Sequence, residues 1–560
     1  MKITRRRFVQ SVGSGVMLSP ANILLAKDGT RDETQHSKDP IFLHGVASGD
    51  PLHDSVIIWT RVTFNSNEQA MVPVSWRIAT DPDFETIINH GMGFAVEEHD
   101  FTIKVDAAGL QPGMTYYYQF TALGQESPIG RSKTLPADHV DKLRVAFTSC
   151  ANYPYGYFNV YQMIAQRHDL DVVLHLGDYI YEYANGTYGD GTALGRISQP
   201  DAEIVSLDDY RTRYAQYRTD PDLQEAHRQH PFITIWDDHE TANDSWRGGA
   251  ENHNPGEGRW LDRRAAAIKA YYEWIPIRQV DPDNPLKAYR QFRFGNLMDL
   301  MMLDTRLYGR DQQVVNAQDM AINDPNRKLL GDEQAQWLLD NLDESKEDEI
   351  RWRIIGQQVM FGQLLLSGEV FNVDQWDGYP ASRAHVIEHL EQNNIDNTII
   401  LTGDIHSSWA MDITKNPFDS LQYNPQSGYG SVAVEFVTPA VTSPALENKT
   451  EAEQTAMYLM SSSPHMKYVD LFHRGYVLLD IDHERTQAEW YHAETIVEPN
   501  NTNQLLAAAF RTYDTSNYLV PVTDGPSSEK LDAPLPAPTV EVYDLMEEGE
   551  LEKEYKQKNV

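Results

Sequence analysis

The sequence predicts an α/β protein: a layered β-sandwich core flanked by helices, preceded by a small all-β domain. Three observations point there. At 560 residues the chain exceeds one ordinary domain. Residues 41–138 carry short strand-like runs broken by turn residues, the signature of an antiparallel sandwich. From about residue 142, buried-strand runs alternate with longer stretches of helical or irregular character, which indicates a layered α/β core to about residue 500.

In the first region the expected strands are "SVIIWTRV" (55–62), "PVSWRIAT" (73–80), "FTIKVDAAGL" (101–110) and "MTYYYQFTAL" (114–123), punctuated by Asp81-Pro82 and Pro112-Gly113. "LQPGMTYYYQF" is similar to the strand-turn-strand of fibronectin-type modules, so the domain reads as Ig/fibronectin-like and structural. In the second region "LRVAFTSC" (143–150) precedes a helical "FNVYQMIAQRH", and "DVVLHLGD" (171–178) follows it. "PFITIWDDHE" (231–240) precedes a helical "RRAAAIKAYYEWI" (263–275); "LMDLMMLDTR" (297–306), "RWRIIGQQVMF" (351–361) and "NTIILTGDIH" (397–406) continue the series. Beyond 500 the pattern fades into a C-terminal extension, 501–560, ending in the charged tail MEEGELEKEYKQKNV.

The opening MKITRRRFVQ resembles a twin-arginine export signal over residues 1–26, with a polar linker at 27–40. This implies the twin-arginine machinery as a partner and a periplasmic or extracellular destination. Gly13, Gly15, Pro20 and Asn22 interrupt the apolar stretch, and no other segment is long and apolar enough to span a bilayer. The net charge of −36 excludes a nucleic-acid-binding surface. Oligomeric state is not written in the sequence. Cys150 is the single cysteine, so no intramolecular disulfide forms, and the thiol either packs or binds a ligand.

Four expected strands end alike, on polar residues at the edge where open α/β sheets bind ligands. They end at Thr148-Ser149-Cys150, at Gly177-Asp178-Tyr179-Ile180-Tyr181, at Trp236-Asp237-Asp238-His239-Glu240 with Asn243-Asp244 beyond, and at Gly403-Asp404-Ile405-His406. Each motif alone reads as a turn, a cap or a packed core residue. Together they bring carboxylates to one edge, which a fold tolerates with cations between them. Asp178 has two oxygens with which to bridge ions. Phenolate from Tyr181 and thiolate from Cys150 favour Fe(III) over zinc, and His406 adds an imidazole to the same centre. Asn243, Asp404 and Asp238 offer oxygen donors that suit Ca²⁺.

"FTSC…HLGDYIY…WDDHE…LTGDIH" resembles the PhoD-like alkaline phosphatase family of the metallophosphoesterase superfamily. "HGVASGDPLHDSVIIWTRV" (44–62) is similar to the family's N-terminal sandwich, and "LMMLDTRLYG" (300–309), "LGDEQAQWLLDNL" (330–342) and "NVDQWDGYPASR" (372–383) fit its catalytic domain. The resemblance implies an exported phosphatase hydrolysing phosphomonoesters and/or phosphodiesters with metal-activated hydroxide, releasing inorganic phosphate. It implies one Fe(III), held by Cys150, Asp178, Tyr181 and His406, with one or two calcium ions on Asp178, Asn243 and Asp404. Asp238 stands where related enzymes carry an asparagine, so Asp238 and Asn243 compete for one role. His239 is expected to contact the phosphate or protonate the leaving alkoxide, or else to orient a carboxylate. His175, Arg306 and Gln357 are lesser candidates. The competing readings are a diesterase for phospholipids or envelope polymers, and a non-catalytic, calcium-dependent envelope-binding protein.

Overall fold

The computed structural model describes residues 40–64 and 70–539; the expected export signal, nearly all of the linker and the charged tail from 540 onward lie outside the described residues. Two large sheets form the body. The ten-stranded sheet has at its centre β1 (Lys142–Thr148), β2 (Val172–His175) and β3 (Pro231–Thr234), adjacent and parallel. The seven-stranded sheet centres on β4 (Thr398–Thr402), parallel to Trp352–Gly356 on one side and to Ser431–Val437 on the other. Phe147, Val173 and Leu174 of the first sheet share one buried apolar cluster with Ile399, Leu401, Val434 and Phe436 of the second. A second cluster on the far face of the seven-stranded sheet gathers Met301, Ile355, Ile400 and Met411 with Leu338, Leu342 and Ile387. The last three lie on helices Gly331–Glu347 and Pro380–Gln392. Helices such as Trp260–Trp274 cover the first sheet, giving the expected helix-flanked sandwich.

Strands in both regions fall where the patterning places them, Ser55–Arg61, Met71–Ala79, Thr102–Ala108 and Thr115–Ala122 among them. Two strand pairings run across the expected domain boundaries. Val46–Gly49 pairs in parallel with β3, Ser48 opposite Pro231 and Gly49 opposite Phe232, so part of the 41–138 region extends the catalytic sheet. The smaller sheet, with Met71–Ala79 and Thr115–Ala122, then packs on this extension through Val56, Ile58, Val74, Tyr118 and Phe120. Such pairing covers an edge of the catalytic sheet that would otherwise present unpaired backbone groups.

The boundary at 500 also cuts a sheet. Gln504–Tyr513 pairs antiparallel with Arg485–Ala493, and its mostly half-exposed residues leave little apolar alternation to read. The chain then runs back over the body. Tyr117 donates to the Leu535 carbonyl (2.6 Å), Ala537 N–H donates to Gln229 Oε1 (2.9 Å), and Lys530 Nζ meets Asp171 Oδ2 at 2.5 Å.

Asp171 anchors this strap and carries a pH prediction. Burial raises its pKa, but Lys133 (2.5 Å) and Lys530 outweigh burial and hold it at about 2. A depressed carboxylate stabilises the fold above the unfolded value of 3.8, and that contribution is lost as pH falls toward 2. We expect Asp171→Asn to lower unfolding free energy by about 2 kcal/mol at pH 7, with the difference from wild type disappearing between pH 4 and 2. Urea titrations across that range check it.

Candidate metal centre

Backbone geometry at the strand ends builds the site. Cys150, Asp178, Asp404 and His406 all adopt left-handed conformations, with φ of 63°, 56°, 59° and 54°. For residues other than glycine this costs roughly 1–3 kcal/mol each and is sustained at functional sites by the surrounding structure. Gly177, at φ 103°, must be glycine, because a Cβ there would lie 2.4 Å from the Asp237 Cβ. Glu240 fastens two of the loops, accepting backbone N–H groups from Asp178 (3.1 Å), Tyr179 (2.5 Å) and Asp237 (2.7 Å).

Cys150, Asp178 and His406 bring one ligand atom each within 4.8 Å of one another, as do Asp178, Asp238 and His239, and Asp237, Asp238 and Asp404. These groups share members, so one continuous cage results. Tyr181 joins it: its hydroxyl donates to Asp178 Oδ2 (2.9 Å) and lies 3.1 Å from His406 Nε2. The His406 Nδ1–H donates to the Pro444 carbonyl (2.9 Å), which turns the Nε2 lone pair toward Asp178 and Tyr181. Cys150 and Asp178 form the buried floor; Asp404 and His406, with side chains 18% and 13% exposed, form the mouth.

The charges do not balance among the protein groups. Asp178, Glu182, Asp237, Asp238, Glu240, Asp374 and Asp404 cluster about the cage, and the guanidiniums there are those of Arg306 and Arg310. Arg306 is fully buried; it pairs with Asp237, with Asp374 (2.6 Å) and with Asp404 (2.9 Å), and lies 3.6 Å from Asp238. Even so, Asp178 Oδ1, Asp237 Oδ2 and Asp238 Oδ1 are buried without a hydrogen-bond partner. Burial pushes Asp237 and Asp238 up despite Arg306, and Asp404 reaches about 6. Burial and then Asp178 push the Cys150 thiol and the Tyr181 phenol up as well. A multivalent cation reverses each of these effects, so the donor set fits a metal centre. Sulfur, phenol and imidazole lie on one side, and carboxylates alone on the other.

His239 stands at the junction. Its Nδ1 is 2.7 Å from Glu182 Oε2, and its ring is 4.2 Å from that of Tyr181. Burial opposes its charge, but Glu182, Asp178 and Asp238 outweigh burial and hold its pKa well above that of a free imidazole. Asn243 is tied to acidic neighbours: its amide NH2 donates to Glu251 (3.3 Å) and its backbone N–H to Glu182 (2.8 Å). His175 and Gln357 hydrogen-bond within the protein, to Tyr161 (2.9 Å) and Thr402 (2.6 Å). Sequence reasoning missed Glu182, Asp237, Glu240 and Asp374. Each lies in a motif already quoted or directly beside one, and their role becomes visible only when the loops meet.

Comparison with known proteins gives the class first. The fold matches a solved structure described as "Structure of PhoD", with a TM-score of 0.79 and 34% identity, covering 89% of this chain and 94% of that one. Alkaline phosphatase D of Bacillus subtilis (strain 168) is 36% identical over 518 residues, covering 88% of this chain and 85% of that protein. A two-sheet body of this form, with an acid-lined cage at the strand ends, belongs to a hydrolase of phosphoric esters. Residues 145–490 match the PhoD-like phosphatase family and residues 27–136 its N-terminal domain, and the chain belongs to that family.

Proposed function

We propose that this phosphatase is an exported, metal-dependent alkaline phosphatase and phosphodiesterase, whose cage holds Fe(III) and calcium. The observation that carries the metal reading is the convergence of Cys150, Asp178, Tyr181 and His406 on one side, beside carboxylates with unpartnered buried oxygens. Iron would take the thiol, the phenol, the imidazole and one Asp178 oxygen. Calcium would take Asp178 and Asp404, with an oxygen of Asp238 or Asn243 completing the set. When bound, the cations supply Lewis acidity, activating water and absorbing phosphoryl charge.

The chain's own groups do the rest. Glu182 orients His239 through Nδ1, leaving Nε2 as the acid that gives a proton to the leaving alkoxide. Arg306 holds Asp237, Asp374 and Asp404 in fixed positions. Distant surface carboxylates do not repel substrate effectively, because salt screens them beyond roughly 8–10 Å. Export through the twin-arginine route is supported by Thr4-Arg5-Arg6-Arg7-Phe8.

The protein should hydrolyse p-nitrophenyl phosphate, lose activity on chelation and absorb visible light through an iron–tyrosinate band. A colourless, iron-free preparation with full activity refutes the metal assignment. Comparing the mono ester with the bis ester reads the diesterase share. His239→Asn should lower kcat by about 10²–10⁴ for esters with poor alkoxide leaving groups, and less for p-nitrophenyl phosphate, which leaves without a proton. Equal losses on both substrates would restrict His239 to positioning.

A further inference from the structure

Outside the cage, Asp470, His473 and His492 also bring one ligand atom each within 4.8 Å of one another. They come from both sheets. Asp470 ends the strand Met466–Asp470 of the seven-stranded sheet, and His492 lies on Arg485–Ala493 of the ten-stranded sheet. The turn between them is held by Asp470 itself: Oδ1 accepts the N–H groups of Phe472 (3.1 Å) and His473 (2.9 Å), and Oδ2 lies 2.9 Å from His473 Nδ1. The two imidazoles stack with centroids 4.8 Å apart and planes 17° from parallel.

A simple ion pair between Asp470 and His473 would not need the second ring. Two stacked imidazolium ions at this separation would repel, whereas two neutral rings beside one carboxylate make a coordinating set. Ser408, opposite Asp470 in the strand register, places its hydroxyl 3.1 Å from His492 Nε2. That contact occupies Nε2 and leaves Nδ1 as the donor, the arrangement by which neighbouring groups orient metal-binding histidines. His492 is buried, while the His473 and Asp470 side chains are 29% and 21% exposed, so solvent reaches one face.

We infer that Asp470, His473 and His492 form a second, mononuclear site for a divalent transition ion of the zinc type, sharing no ligand with the phosphoester cage. Two nitrogens and one oxygen favour zinc, cobalt or nickel over calcium or magnesium. Tetrahedral bonds of about 2.0–2.1 Å separate ligand atoms by about 3.4 Å, so the ligand atoms close by about 1 Å and one imidazole turns out of the stack to aim its in-plane lone pair at the ion. The fourth position falls on the solvent face and takes water. The ion ties the edges of the two sheets together. It also steadies the adjoining Arg474, whose Nε donates to the Ser443 carbonyl (3.1 Å), while Ser443 Oγ donates to the Tyr181 hydroxyl (2.6 Å). The site thus braces a wall of the cage without touching substrate.

The test uses the full chain with its cage metals loaded, titrated with Zn²⁺ against a chromophoric chelator. Wild type should take up one equivalent that His473→Gln binds at least about 100-fold more weakly. Zn²⁺ should raise the thermal midpoint of wild type and not of the variant, and both should keep their iron and hydrolyse p-nitrophenyl phosphate. Asp470→Asn repeats the test should His473→Gln fail to fold. Equal zinc uptake by wild type and His473→Gln overturns the inference, as does loss of the cage iron in that variant.

Discussion

Asp178→Asn should abolish hydrolysis and strip metal from the protein while leaving the fold intact. Asp178 is the member shared by the thiol–imidazole group and the carboxylate–His239 group, so its two oxygens face both halves of the cage. Oδ2 accepts from Tyr181, and Oδ1 is buried with no protein partner. An amide keeps the shape and removes the charge that a cation needs. Activity should fall at least about 10³-fold, equivalent to about 4 kcal/mol of transition-state stabilisation. Burial opposes the Asp178 charge, but His239 and His406 outweigh burial and hold its carboxyl below the ordinary range, so the change costs some stability. The fold should survive because an amide keeps the side-chain shape and the Tyr181 contact. Metal content by elemental analysis, beside circular dichroism and turnover, reads all three effects. Retained turnover with full metal content would remove Asp178 from the bridging role.

The second large effect lies in stability. Arg306→Met should destabilise the protein by about 3–5 kcal/mol, since it leaves Asp237 and Asp404 without their guanidinium and Asp374 with Arg310 alone. The loss should be larger in chelator than with metal bound, because the proposed cations would neutralise Asp404 from the other side. Denaturant titrations of variant and wild type, with and without chelator, measure that difference. An equal loss in both conditions would mean that Arg306 and the cations do not share that carboxylate.

The large architecture was legible because buried parallel strands and turn-punctuated sandwich strands have distinct patterns, and the four motif-bearing strand ends do converge. Two things were not legible. The pairing of Val46–Gly49 with β3 joins segments about 180 residues apart, and local periodicity says nothing of such partners. The half-exposed Gln504–Tyr513 hides its alternation. Within the site, Cys150, Asp178, Tyr181, Asp404 and His406 were readable from their place after apolar runs. The roles of Glu182, Glu240, Asp374 and Arg306 were not, because they arise from contacts between loops, such as Arg306 with Asp404, 98 positions later.

Anomalous diffraction from crystals of the active enzyme, recorded at the iron edge, tests the central claim most directly. A single iron peak should lie within bonding distance of Cys150 Sγ, Asp178, Tyr181 Oη and His406 Nε2. An active, metal-loaded enzyme whose iron peak lay away from these four side chains, or that showed none, would contradict it.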